Sequence, residues 1–423
     1  MGFEIIESKK LHERVLYQKH PAGLDIYVAP KKGYSSQYAI FGTKYGSIDN
    51  LFREGEKSTA VPEGIAHFLE HKLFESEDGD AFSRFAKTGA SANAYTSFDR
   101  TCYLFSCTSE FKASLEILLD FVQKPYFSKK TVQKEQGIIG QEIKMYEDDP
   151  NWQVFFGLLG SLYHKHPVKS DIAGTAQSIS QITPELLYKC YNSFYNLNNM
   201  VLCVAGDIDP ALVIEVADAL LKPAPALQVQ SIFEPEPESI MSPRVEKSLS
   251  VNVPLFNLGF KDVPLEGFAE AKKEATTEIL LELIGGDASP LYRRLYDKGL
   301  INSGFGMQYF SGRSFAAAII GGESRDPDTV AAEFIKETET RKNGGIPKAD
   351  FDMAKKSVFG HLAAHYDSVD DVANGIAGCR FAGLGPFDII EAAAQVTMED
   401  VMQRLGNLFS QDKSALSVVL PIK

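Results

Sequence analysis

The segment Pro62-Glu63-Gly64-Ile65-Ala66-His67-Phe68-Leu69-Glu70-His71-Lys72-Leu73-Phe74 decides how the rest of the chain is read. After Gly64 it is made of good helix formers, so a helix is predicted, and His67 and His71, four residues apart, project from one face about one turn apart. That spacing suits two ligands of a single tetrahedral Zn²⁺. Glu70 lies on the same side, where it can reach a metal-bound water without being a ligand itself. A catalytic zinc site keeps one coordination position for water, so the pattern requires a third protein ligand from elsewhere. The bland reading is a pair of helix histidines beside a solvated glutamate.

Length and composition set the frame around this segment. With 423 residues the chain exceeds what one hydrophobic core supports, and two domains are expected. A formal charge of -13 leaves no basic footprint for nucleic acid and no attraction to anionic lipid. The five cysteines, Cys102, Cys107, Cys190, Cys203 and Cys379, are odd in number and include no CxxC pair, which suits a reducing compartment. The opening Met1-Gly2-Phe3-Glu4-Ile5-Ile6 has no positively charged stretch followed by an apolar run, and no segment approaches the roughly 18 apolar residues of a membrane span. A cytoplasmic protein that engages neither nucleic acid nor membrane is the expectation.

A proline-rich, polar stretch from Lys222 to Pro243 reads as a stiff linker. It divides the chain into residues 1–221, which carry the metal motif, a linker at 222–243, and residues 244–423, which lack it. The halves are faintly similar. Val132 to Glu142 can be laid on Phe351 to His361 at an offset of 219 residues (351 minus 132), both as helices. Each half also ends in an apolar strand candidate, Met200 to Ala205 and Ala415 to Leu420. Long amphipathic helices among strands that are often adjacent in sequence predict an α+β fold of two homologous domains, each an antiparallel-rich sheet covered by helices. Asp149-Pro150 reads as an N-cap and first helical residue, opening a helix with Trp152, Phe155, Phe156 and Leu159 turned inward.

The order His-x-x-Glu-His reverses the commoner His-Glu-x-x-His and marks the inverzincins. With it, the chain resembles the insulinase, pitrilysin and mitochondrial processing peptidase family over nearly its whole length, most strongly from Tyr45-Gly46-Ser47 to Gly206-Asp207, and looks closest to bacterial zinc-bearing half-size subunits. The resemblance implies a glutamate third ligand some seventy residues downstream, with a second glutamate seven residues before it. Glu135-Gln136-Gly137-Ile138-Ile139-Gly140-Gln141-Glu142 matches, which makes Glu142 the third ligand and Glu135 a residue supporting a ligand histidine. Seven residues span almost two helical turns and put both carboxylates on one face. The rival Glu147, in Glu147-Asp148-Asp149, reads more simply as a solvated helix end. The implied reaction is peptide hydrolysis by a water activated at one Zn²⁺ per chain, with Glu70 as general base.

Gly89-Ala90-Ser91-Ala92-Asn93-Ala94-Tyr95-Thr96 is similar to the edge strand on which this family lays extended substrate, Asn93 and Ala94 matching its Asn-Ala. His361 and His365 share the helical spacing of the motif, but no carboxylate completes it, so they read as a degenerate repeat; His164 and His166 read as loop residues beside Pro167. Tyr296 and Asn302 stand where members that complete their own cleft carry an Arg and a Tyr. The resemblance therefore implies an endopeptidase working on peptides or unfolded segments in an enclosed clamshell, its zinc subunit paired with a metal-free homologue that supplies Arg and Tyr, or as a homodimer. The alternative is a non-catalytic assembly subunit of the same family.

Overall fold

The computed structural model describes residues 2–77, 79–223 and 225–422. Met1, Asp78, Ala224 and Lys423, which the expected domain and linker bounds include, lie outside the described residues. The chain forms two compact units: one comprises residues up to Ile143 with Asp171–Ile232 and Ala363–Phe387, the other Lys144–Ser170, Phe233–Leu362 and the chain from Asp388 on.

The first unit is built on a seven-stranded sheet in the order Glu4–Ser8, Glu13–Lys19, Asp25–Pro30, Met200–Gly206, Gln37–Thr43, Thr101–Cys107 and Ser91–Thr96. All neighbours are antiparallel except Met200–Gly206 beside Asp25–Pro30. Met200–Gly206 is buried at every position, as its unbroken apolar run demands of a central strand covered on both faces. The second unit holds a five-stranded sheet in the order Arg244–Leu249, Ser414–Pro421, Leu255–Asp262, Phe315–Glu323 and Gly306–Gly312. Again one pair is parallel, Arg244–Leu249 with Ser414–Pro421, and the others are antiparallel. The two sheets thus repeat one topology, and the α+β class with homologous halves holds. The helices Lys129–Asp148 and Lys348–Ala364 begin at the predicted offset.

The compact units do not follow the halves of the sequence. Helix Pro150–Leu162 packs on strands of the second unit, and helix Val369–Phe381 on strands of the first, so each half lends the other a covering helix. The expected division into 1–221 and 244–423 misses this exchange, because hydrophobic periodicity says that a helix face is buried and not against which sheet. Asp149 caps the first of these helices by accepting from the N–H groups of Asn151 and Trp152, as expected. Val154, Leu158 and Leu159 form its buried face, whereas Trp152, Phe155 and Phe156 are only half-buried. Gly259 permits the contact, since a Cβ there would lie 2.8 Å from a Leu158 methyl carbon.

The proline-rich segment is docked rather than free. Val229–Ser231 pairs with Leu51–Glu54 in the first unit. In the second, Glu236 accepts from the backbone N–H groups of His164, Lys165 and His166 and binds the Lys261 ammonium at 2.7 Å. The remaining reach of that ammonium is used on the carbonyls of Pro237 and Ser239. All five cysteines are free and buried. Among the described residues no helix is long and apolar enough to cross a membrane.

Burial alone would raise the Glu236 carboxyl, but Lys261 and the three N–H groups outweigh it and hold it down at about 2. A depressed carboxyl stabilises the fold above its unfolded value near 4.5, and that contribution is lost as pH falls toward about 2. Glu236→Ala strands a buried ammonium and three N–H donors, and is expected to cost about 3–5 kcal/mol in urea unfolding at neutral pH. Between about pH 4.5 and 2 the wild type should lose this advantage over Glu236→Gln.

Candidate metal centre

Helix Ile65–Leu73 begins at Gly64, whose φ of +83° and whose close approach to the Ala173 carbonyl, 2.3 Å from where a Cβ would stand, leave room only for glycine. Eight of its nine residues are buried, among them His67, Glu70 and Lys72. The helix lies against strands Ser91–Thr96 and Thr101–Cys107 and against helix Pro184–Phe194. The opposing groups come from helix Lys129–Asp148, whose buried stripe is Val132, Glu135, Ile139 and Ile143, so Glu135 and the half-buried Glu142 point the way its apolar residues do.

The structure brings His67, His71, Glu135 and Glu142 together. His67 Nε2 stands 3.6 Å from Glu142 Oε1, and His71 Nε2 stands 3.7 Å from Glu142 Oε2. The imidazole rings cross edge to face with centroids 4.5 Å apart. One donor atom from each of His67, His71 and Glu142 lies within 4.8 Å of the others, and among the described residues this is the one such group of metal-ligating side chains. Ligands about 2.0–2.1 Å from a tetrahedral Zn²⁺ are separated by roughly 3.3 Å, so these donors need only small adjustments to accept one. Two imidazoles with one carboxylate suit that ion.

His71 Nδ1–H donates to Glu135 Oε1 at 3.1 Å, which fixes the ring and leaves Nε2 available to a metal ion. His67 Nδ1 is buried with no hydrogen-bond partner, so packing alone orients that ring. Burial, reinforced by the neighbouring His71, drives the His67 imidazole down to about 3 and keeps it neutral. Burial works the same way on His71, but Glu135 and the carboxylates of Glu70 and Glu142 overcome it and hold its pKa up. Glu70 is raised by burial to about 7, against the opposing influence of His71 and Thr96. A carboxyl in that range is matched to proton transfer near neutrality.

Strand Ser91–Thr96 is at the edge of its sheet, with Asn93 exposed and its side-chain oxygen accepting from the Ala94 N–H at 2.9 Å. Thr96 ends this strand and donates its hydroxyl to Glu70 Oε2 at 3.0 Å. Its contribution was hidden in the sequence because a threonine in a strand carries no signal of its partner. Lys72 was the other omission: it is fully buried and bound to Glu75, and a charge among apolar helix positions was the signal for it. Glu147 is exposed and lies outside the donor group, as do the exposed His361 and His365. His164 is in a loop, and buried His166 caps the turn Pro167–Lys169. Tyr296 is exposed, and Asn302 donates to Glu323.

Comparison with known proteins identifies the family. The model for Insulinase (Peptidase family M16) matches residues 58–176, and that for the Peptidase M16 inactive domain matches residues 181–358. The chain is 42% identical over 423 aligned residues to the uncharacterized zinc protease YmfH of Bacillus subtilis, covering 98% of this chain and 99% of that one. A candidate M16-like peptidase from Alicyclobacillus acidocaldarius, known from its crystal structure, superposes with a TM-score of 0.93 at 33% identity, covering 100% of this chain and 99% of the other. Pitrilysin is alike in fold alone, with a TM-score of 0.75 at 16% identity over 100% of this chain and 46% of its own. Both family models are matched in tandem and the likeness to YmfH runs the length of the chain: it belongs to the insulinase family of peptidases, as a zinc protease-like member.

Proposed function

We propose that this protein is a zinc metalloendopeptidase with its catalytic centre in the first unit. The observation that carries the reading is the convergence of His67, His71 and Glu142 beside a buried Glu70 and an edge strand. Zn²⁺ held by those three ligands would supply a polarised scissile carbonyl and a water acidified toward a pKa of ~7. The chain's own groups do the rest. Extended peptide adds to Ser91–Thr96 by backbone hydrogen bonds, with the Ala94 N–H released from the Asn93 side chain to take part. Thr96 engages Glu70 Oε2 and leaves Oε1 to accept the proton of the nucleophilic water and return it to the leaving amine. Glu135 keeps His71 in the ligating tautomer. No serine or cysteine nucleophile is needed.

We further propose that the chain works with a metal-free homologue. Support comes from Tyr296 and Asn302, which stand where an Arg and a Tyr would complete the substrate site. A homodimer lacks that pair in both copies.

Glu70→Gln is expected to keep about one zinc per chain while kcat/KM on a peptide library falls about 10²–10⁴-fold. Retained cleavage with zinc bound would assign the base elsewhere, and inactive wild type that still holds zinc would favour the assembly-subunit reading. Glu142→Ala should release zinc in metal analysis, whereas Glu147→Ala should not. Purified chain should cleave slowly until an Arg-Tyr-bearing paralogue is added; full activity alone, unchanged by the paralogue, contradicts the pairing.

A further inference from the structure

Lys72 follows His71 directly in helix Ile65–Leu73, flanked by the fully buried Phe68, Leu69 and Leu73, and its own side chain has 0% exposure. An apolar residue would fill this position at no electrostatic cost, whereas a buried ammonium costs several kcal/mol unless it is paired. Two carboxylates meet it. Glu75, three residues on, binds Nζ directly, and Glu135 Oε2 lies 4.0 Å away. Glu75 has a second cation near it, the exposed Lys134 at 3.6 Å.

If Lys72 answered only to its own burial, Glu75 would suffice. Glu135 has the greater need. Its side chain is 6% exposed, one oxygen takes the His71 Nδ1–H, and the other faces Lys72, which among the described residues is the one lysine or arginine within ion-pair distance of it. The charges therefore alternate along Lys134, Glu75, Lys72 and Glu135, ending on a ring whose far nitrogen faces Glu142. Without the ammonium, Glu135 would be a buried carboxylate near that of Glu75, held by a single imidazole N–H. Like-charge repulsion would then turn it away from His71 and free that ring to rotate.

We propose that Lys72 is a positioning residue for the metal centre: its buried ammonium anchors Glu135, and Glu135 in turn sets the orientation of His71 toward the ion. This rests on the reading of His67, His71 and Glu142 as zinc ligands. Lys72 touches neither substrate nor metal, so its effect is measured on metal affinity and not on turnover.

The test is a double-mutant cycle read as zinc affinity, by competition with a chromogenic chelator, on wild type, Lys72→Met, Glu135→Gln and the double variant, with the metal-free melting temperature of each recorded alongside. Loss of an outer hydrogen-bond partner of a ligand weakens metal binding about 10–100-fold. Lys72→Met and Glu135→Gln should each show a loss of that order, and the double variant should lose no more than Glu135→Gln alone. A purely structural lysine would lower the melting temperature and leave zinc affinity within about twofold, and that outcome overturns the proposal, as does a loss that adds to that of Glu135→Gln. Should Lys72→Met not fold, Glu75→Gln decides, because it leaves the ammonium in place with Glu135 as its remaining carboxylate. Zinc affinity should then stay near wild type, and a loss as large as that of Glu135→Gln counts against an anchoring role for Lys72. Glu142→Ala separates the two readings: a wild type that binds no zinc through Glu142 refutes the ligand assignment, whereas normal zinc binding with an indifferent Lys72→Met refutes only the role of Lys72.

Discussion

Placing ionisable groups on a helix that is buried almost all round is the constraint on which this molecule turns. Helix Ile65–Leu73 carries His67, Glu70 and Lys72 into the interior and leaves His71 half-buried. Ionisable groups cannot stay there without partners. Most of the partners found for them gather at the candidate centre: Thr96 for Glu70, Glu135 for His71, and Glu142 facing both imidazole Nε2 atoms, while Lys72 is held by Glu75 with Glu135 Oε2 4.0 Å away. His67 Nδ1 stays unpaired, which leaves one imidazole of the pair held by packing and the other by hydrogen bonding.

Meeting those demands requires elements far apart in sequence to be held rigidly together. The sheet supplies Thr96 from its edge strand, and helix Lys129–Asp148 supplies both glutamates from the face that carries its apolar stripe. Behind the sheet, helix Val369–Phe381 packs on the strands Met200–Gly206 and Gln37–Thr43. Its Asn374 accepts a hydrogen bond from Tyr95 of the edge strand at 3.0 Å. Residues from late in the chain thus brace the strand that carries Asn93, Ala94 and Thr96. A centre set on helices and a braced strand is more narrowly positioned than one set on loops.

Much of this was legible because periodic patterns and spacing are local. A step of four positions between histidines, a step of seven between glutamates and an Asp-Pro cap each report on one helix, and each falls on a helix in the structure. The apolar runs Met200 to Ala205 and Ala415 to Leu420 announced strands for the same reason. What could not be read were choices between partners. The helices Pro150–Leu162 and Val369–Phe381 have buried faces that would suit either sheet, and the exchange between units is settled by shape, such as the gap above Gly259 that accepts Leu158. The same limit hid Thr96 and Lys72: their types are ordinary, and only the fold shows that one meets Glu70 and the other Glu135.

The repeated topology shows how little of a metal centre is carried by architecture alone. At the offset of 219 residues, Val132 falls on Phe351, Glu135 on Ala354 and Glu142 on His361. Phe351 and Ala354 are the buried residues of helix Lys348–Ala364, so the stripe is preserved, but the carboxylate that would steady a ligand has become a methyl group. His361 is exposed. Beside the edge strand Gly306–Gly312 the second unit sets helix Gly267–Gly285, which carries Glu270, Glu274 and Glu278 and no histidine. Burial, with the neighbouring Glu278 and Glu270, raises Glu274 to about 7. The same sheet and covering helices thus support a convergent donor set in one unit and, among the described residues, none in the other. The difference lies in which side chains occupy a few buried positions, and the stretch matched by the inactive-domain model, residues 181–358, includes the helix that lacks the histidines.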